Sequence, residues 1–342
     1  MHTPDEMPAR LGAFLTAQDG SRSATVDSYE AMVGGYSRLM ARAEVTWDDG
    51  SHETLVLRGD PPPGKAMMET SRDAEWALLS ALTSAGSIPM PAARYYDATG
   101  DALGTKCIVI DHVAGRSLQQ LLNDCDPAQG YGSHPGDLVD TMASVHTVDV
   151  DAVSGVLEVP SDWDSYIGGL IGRYRQADAS HIEAMPFLRY VASWLDANRP
   201  APLPLRLVHS DFQPANIMVT SDGGHQVIDW ELAHIGDPRE DLGYYNVYSS
   251  ASGPNLFMLD PEGFLARYRE RTGFSEDAVN LQTVAYFSSL AAITVYAQIL
   301  LGAGAMAQGA NAGLMTTYTL NALTVGHSNF MAGCTPPDAG GR

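Results

Sequence analysis

Two runs near the N-terminus, LMARAEVTW (39–47) and HETLVLRG (52–59), alternate apolar and polar residues and are separated by the four residues DDGS. Alternation with period two, broken by Asp, Gly and Ser, specifies strand, turn and strand. PARLGAFLTAQ, before the pair, has helical apolar spacing. SRDAEWALLSALTSAG, after it, has apolar residues at Trp76, Leu78, Leu79 and Leu82 and stops at Gly86, the pattern of a helix with a C-terminal stop. KCIVIDHV then reads as a buried strand ending in AGRSL. From there the pattern is helical: SLQQLLNDCD, GDLVDTMASVHTV, WDSYIGGLIGRYRQ, FLRYVASWLDA, REDLGYYNVY and PEGFLARYRERTG, followed by an uncharged C-terminal pair. Two short strands, NIMVT and HQVIDW, joined by SDGG, interrupt the helices as a hairpin. The expectation is an α+β chain: an antiparallel sheet with one main helix, then a larger, mostly helical part.

A length of 342 residues exceeds one ordinary hydrophobic core and predicts two lobes, 1–112 and 113–342, with a tight hinge near Ile110 to Gly115. The formal charge of −21, from 41 acids against 20 Lys and Arg, argues against nucleic acid as a partner, because phosphate contacts need clustered bases. The acids are dispersed, so the charge reads as a solvated surface and does not identify a substrate. Cys107, Cys125 and Cys334 make neither a disulfide framework nor a metal-ligand spacing. Reduced buried thiols, together with an N-terminus lacking a cationic segment before an apolar one, lead to the expectation of a cytoplasmic protein. Residues 278–337 contain no Asp, Glu, Lys or Arg. Their most apolar part, 290–306, is short for a membrane span and contains Gln298. It reads instead as buried helix, as a homodimer interface, or as an apolar wall beside a substrate.

The stretch LVHSDFQPANIMVTSDGGHQVIDW (207–230) places Asp211 and Asp229 eighteen residues apart, with Asn216 between them on a loop. Phosphoryl transfer needs a carboxylate to position or deprotonate the attacking hydroxyl, and oxygen ligands for magnesium. One carboxylate and one amide oxygen suit Mg2+, which keeps most of its waters. Taken singly, loop Asp and Asn residues more often cap helices or close turns. Asp237 and Asp241, in GDPREDL, read first as carboxylates at a helix N-terminus. His209 reads as a hydrogen-bonding scaffold. The His-Ser-Asp adjacency does not make a hydrolase triad, since neighbouring residues rarely converge on one atom and no G-x-S-x-G elbow is present.

HSDFQPAN followed by VIDWELAHIGDPREDL resembles the signatures of aminoglycoside phosphotransferase and choline kinase-like enzymes, and the resemblance runs over roughly Leu11 to Met331. It implies a bilobal, protein kinase-like fold. It further implies Asp211 as the catalytic aspartate, Asn216 and Asp229 as magnesium ligands, and His209 and Asp241, with Asp237, as structural support of the site. In that context Gly34, Gly35 and Ser37 would form a phosphate-facing turn, although two glycines alone describe any hairpin. Asp111, His112 and Val113 resemble the strand whose backbone meets the nucleotide base, ATP or GTP. Glu75 resembles the acid that holds a phosphate-binding lysine.

That lysine is missing. Lys65 and Lys106 are the two lysines of the chain, and the strand offers Arg58 instead, which can bind phosphate through a fork and still pair with Glu75. GDPPPGKA (59–66) imitates a P-loop but fails on mechanism: three prolines remove N–H groups, and Ala66 supplies no hydroxyl for magnesium. Gln213 stands where related sequences are often basic. The resulting expectation is an ATP- and Mg2+-dependent O-phosphotransferase acting on a small hydroxyl compound, neutral or partly apolar. Two alternatives stand beside it: a non-catalytic nucleotide-binding pseudokinase, which Arg58 favours, and an aminoglycoside or antibiotic kinase.

Overall fold

The computed structural model describes residues 6–32, 39–60, 71–180 and 186–307. In chain order they form α1 (Met7–Asp19), β1 (Ala24–Ala31), β2 (Leu39–Trp47), β3 (His52–Gly59), α2 (Arg72–Ala85), β4 (Ala93–Asp97) and β5 (Cys107–Asp111). Then come β6 (Gly115–Ser117), α3 (Leu118–Asp124), α4 (His134–His146), α5 (Trp163–Ser180) and α6 (Pro186–Ala197). The chain continues with β7 (Arg206–Val208), β8 (Ile217–Thr220), β9 (His225–Val227), β10 (His234–Gly236), α7 (Arg239–Ser252), α8 (Pro261–Thr272) and α9 (Leu281–Ala307). Two compact units result: Met1–Gly115 with Met218–Glu231, and Arg116–Ile217 with Leu232–Arg342.

In the first unit the strands are antiparallel in the order β1, β2, β3, β5, β4. The β2–β3 hairpin occupies the residues that the alternation indicates, with Leu39 opposite Gly59 and Thr46 opposite His52. β1, not apparent in the sequence pattern, is an edge strand carrying Asp27, Ser28 and Glu30 and needs no apolar stripe. One sheet face packs Leu55, Leu57, Ala43 and Val45 against Leu11, Phe14 and Leu15 of α1. Strand period two sends Val56 and Arg58 to the opposite face, where α2 supplies Glu75. Both faces of β3 are therefore covered, which accounts for the three successive apolar residues Leu55, Val56 and Leu57. Helix α2 begins at Ser71, whose Oγ accepts the Ala74 N–H at 3.2 Å, and ends at Gly86 in the left-handed region (φ 60°).

The second unit centres on α5, α6 and α9, which bury Ile167, Ile171, Leu188, Val191, Leu195, Phe287, Leu290 and Ile293 together. Helix α9 lies within the uncharged segment; the second helix expected there falls outside the described residues. No helix among the described residues is long and apolar enough to cross a membrane. The short β7–β10 pair, Val208 opposite His234 and Arg206 opposite Gly236, launches one loop from β7 (209–216) and another from β10 (237–238). Asp237 and Arg239 are completely buried: the carboxylate accepts Arg239 Nε at 2.9 Å and Nη2 at 2.6 Å, and Trp163 Nε1 at 2.6 Å.

Helix α7 packs along α9, and the approach is closest at Gly243, where a methyl group would overlap the backbone of Phe287 and Ser288. Gly243→Ala should push the helices apart and cost about 1–3 kcal/mol, the usual range for overpacking. A urea unfolding midpoint equal to that of the wild type would show that the crossing has slack.

Candidate active site

Asp211 lies three residues beyond β7. Its Oδ1 accepts hydrogen bonds from Gln213 Nε2 at 2.8 Å and from the Tyr244 hydroxyl. Its Oδ2 accepts Asn216 Nδ2 at 2.7 Å, and the same amide nitrogen donates to the Asp211 carbonyl at 2.9 Å. The loop turns back as a short 3-10 segment over Pro214–Asn216, closed by Asn216 N–H to Gln213 O at 2.9 Å. Asn216 thus binds Asp211 through its nitrogen and turns its oxygen elsewhere. Burial raises the pKa of Asp211, and the bonds from Tyr244, Asn216 and Gln213 together with the nearby His209 oppose that rise without cancelling it. A partly buried carboxylate with a raised pKa and a fixed orientation has the properties of a general base.

The start of the loop is held by Asp241, in the first turn of α7. Asp241 is completely buried and accepts the N–H of His209 at 2.8 Å on Oδ2 and that of Ser210 at 2.8 Å on Oδ1. His146 Nε2 lies 3.0 Å from Oδ2, and the other ring nitrogen lies 2.7 Å from the Tyr268 hydroxyl. A carboxylate only accepts, so Nε2 must be the donor. Burial disfavours the Asp241 charge, yet the His146 and backbone donors outweigh it and hold the carboxyl below the usual aspartate range. At the helix N-terminus, then, Asp241 serves the backbone of a distant loop, whereas Asp237 does accept the Arg239 N–H of α7 at 2.9 Å. Ser210 has φ 69°, a left-handed conformation uncommon for a residue with a side chain. His209 is fully buried, and its Nδ1 accepts the Asp211 N–H at 3.3 Å.

In the first unit Arg58 Nη2 contacts Asp229 Oδ1 at 2.5 Å and Glu75 Oε1 at 3.2 Å. Arg58 and Glu75 are buried, while the Asp229 side chain is 32% exposed. Glu75 also pairs with Arg72, which in turn reaches Asp60 at 3.1 Å. Burial works against the Arg58 charge, but Asp229 and Glu75 prevail and its pKa is raised. Asp229, like Ser210, has φ 69°. Asp111 N–H and His112 N–H are engaged by the carbonyls of Ala92 and Thr54, at 3.0 and 3.1 Å. Among the described residues that leaves the Val113 N–H as the backbone donor at this edge. Gly34, Gly35, Ser37 and Lys65 lie outside the described residues.

The sequence reading did not single out Tyr244, His146 or Trp163 as parts of this arrangement. Their partners are 33, 95 and 74 residues away, and no local pattern announces them.

Because its folded pKa is depressed, Asp241 contributes stability that is fully present above the unfolded value and lost as pH falls through the folded one. Asp241→Asn should therefore cost about 2 kcal/mol at pH 7, as an amide would turn a donor toward the backbone N–H groups. The gap between variant and wild type should narrow below about pH 4. A gap in urea unfolding that stays constant from pH 7 to pH 3 would contradict this account.

A model of the phosphotransferase enzyme family, APH, matches residues 34–279, more than half of the chain. The fold is similar to macrolide 2'-phosphotransferase MphH from Brachybacterium faecium, with 20% identity, a TM-score of 0.62, and 94% of this chain and 98% of that one covered. It is similar also to a thermostable mutant of aminoglycoside phosphotransferase APH(4)-Ia in ternary complex with ADP and hygromycin B, with 14% identity, a TM-score of 0.65, and 95% and 99% coverage. Among curated proteins, acyl-CoA dehydrogenase family member 11 of Homo sapiens is 27% identical over 201 residues, 57% of this chain. That match spans 25% of the human protein's length. With the family signature covering both the strand that carries Arg58 and the loop that carries Asp211, the chain belongs to the phosphotransferase enzyme family.

Proposed function

We propose that the protein transfers the terminal phosphoryl group of ATP, with GTP as the alternative donor, to a hydroxyl of a small molecule in a magnesium-dependent reaction. The observation that carries the reading is the loop 209–216, in which the Asp211 carboxylate is fixed by three side-chain donors. Asp211 would receive the hydroxyl proton as the acceptor oxygen attacks. Preorganised groups of this kind are what phosphoryl transfer requires, since its catalysis is mostly positioning and electrostatics.

The donor chemistry suits magnesium. Asn216 keeps an amide oxygen because its nitrogen is committed to Asp211, and Asp229 supplies a partly exposed carboxylate. Each would act as an oxygen ligand; the ion would offset charge on the phosphates. Arg58 would take the lysine's part. Its Nη2 is shared by Glu75 and Asp229, which fixes the guanidinium in place. Val113 N–H would face the base. The acceptor would be neutral or partly apolar, in keeping with α9, which contributes no charged side chain over Leu281–Ala307.

ATP with magnesium at one hundred times its Kd should stabilise the fold by about 2.7 kcal/mol, and Asp229→Asn should remove the magnesium-dependent part of that gain. Absence of any thermal shift with ATP or GTP would defeat the reading and leave a non-catalytic member of the family. Arg58→Ala should raise the nucleotide KM at least about tenfold, the loss expected for a charge-assisted contact. Arg58→Lys should restore part of it; an unchanged KM in Arg58→Ala would remove Arg58 from the phosphate site.

A further inference from the structure

The two oxygens of Asp211 are not equivalent. Oδ1 carries two donors, Gln213 Nε2 and the Tyr244 hydroxyl, which fill its two lone-pair directions. Oδ2 carries one, Asn216 Nδ2. Among the described residues a single acceptor place on the carboxylate is therefore open, and it is on Oδ2. Tyr244 comes from α7, the helix that also supplies Asp241 to the start of the same loop. Its ring lies against that of Tyr248, with centroids 4.4 Å apart, and the Tyr248 hydroxyl donates to the Ala291 carbonyl of α9 at 3.3 Å. The Tyr244 hydroxyl is thus aimed by a supported ring on a packed helix.

We infer that Tyr244 is a positioning residue for phosphoryl transfer, which together with Gln213 locks Oδ1 of Asp211 so that Oδ2 alone receives the proton of the acceptor hydroxyl. The inference rests on the proposed role of Asp211 as base. In the step, a bond forms between the acceptor oxygen and the terminal phosphorus, and the bond from that phosphorus to the bridging oxygen breaks. The electron pair of the broken bond leaves with the nucleoside diphosphate, and the proton passes from the acceptor hydroxyl to Oδ2. A carboxylate free to rotate would offer either oxygen in a range of orientations; one pinned at Oδ1 by two donors and at Oδ2 by Asn216 presents a single lone pair in a single direction.

A second arrangement would give the same contacts with the opposite consequence. If the Tyr244 hydroxyl merely occupied the place of the acceptor hydroxyl, its removal would open the base and speed the reaction. Tyr244→Phe separates the two, because it deletes the hydroxyl and keeps the ring against Tyr248.

The experiment is magnesium-dependent hydrolysis of ATP with no acceptor added, so that water takes the hydroxyl's place, read in wild type, Tyr244→Phe, Asp211→Asn and the double variant, with thermal unfolding of each. Tyr244→Phe should lower kcat by about tenfold to a hundredfold, the value of a hydrogen bond to a charged group, while the KM for ATP and the Tm stay at wild-type levels. In the Asp211→Asn background the same substitution should have no further effect, because Tyr244 acts only through that carboxylate. An unchanged or higher kcat in Tyr244→Phe, or a loss that persists without Asp211, overturns the inference. Full hydrolysis in Asp211→Asn alone would instead overturn the base assignment on which it rests.

Discussion

One buried carboxylate holds the start of the loop that carries Asp211 and Asn216. Asp241 accepts two successive backbone N–H groups, those of His209 and Ser210, and a third bond from His146. Two adjacent N–H groups can point at one carboxylate only if the chain turns sharply, and Ser210 accommodates the turn at φ 69°. Such a conformation costs a residue with a side chain about 1–3 kcal/mol, so it persists only where surrounding contacts impose it. The turn reverses the chain after β7 and brings Asp211 to Tyr244 on the same helix that carries Asp241. Loop and helix therefore support each other, and the Asp211 carboxylate is oriented by residues from two separate segments.

The first unit meets a different electrostatic problem. Arg58, Arg72 and Glu75 are all at most 5% exposed, and a buried charge is tolerated only when paired. Glu75 lies between the two guanidinium groups, and the outer arginine is neutralised further by Asp60. Asp229 then meets the remaining side of Arg58. In place of a flexible, strongly hydrated lysine the chain has a planar fork, which can hold two carboxylates.

Much of this was legible beforehand. The alternation of 39–47 and 52–59 located β2 and β3 because both are paired strands with an inward row of apolar side chains, and Gly86 marked the end of α2 because its capping chemistry is local. Asp211, Asn216 and Asp229 stood out as candidates through their residue types and spacing, and the bonds from Asn216 to Asp211 bring two of them together. What stayed hidden was either half-exposed, as β1 was, or too short to show a period, as β4, β7 and β10 were. Gln213 illustrates a middle case: its departure from a basic residue was visible, but its bond to Asp211 was not.

The sequence by itself determined the order of the longer, periodic elements, the family signature and the residue types available for chemistry, because helix and strand periods, caps and turns are encoded within a few residues of each other. Only the tertiary structure decided which partner each of those groups would have. Tyr244 on Asp211, His146 on Asp241 and Trp163 on Asp237 are contacts between segments tens of residues apart. They arise because packing brings together side chains whose hydrogen-bonding groups, once buried, must be satisfied by whatever the fold places beside them.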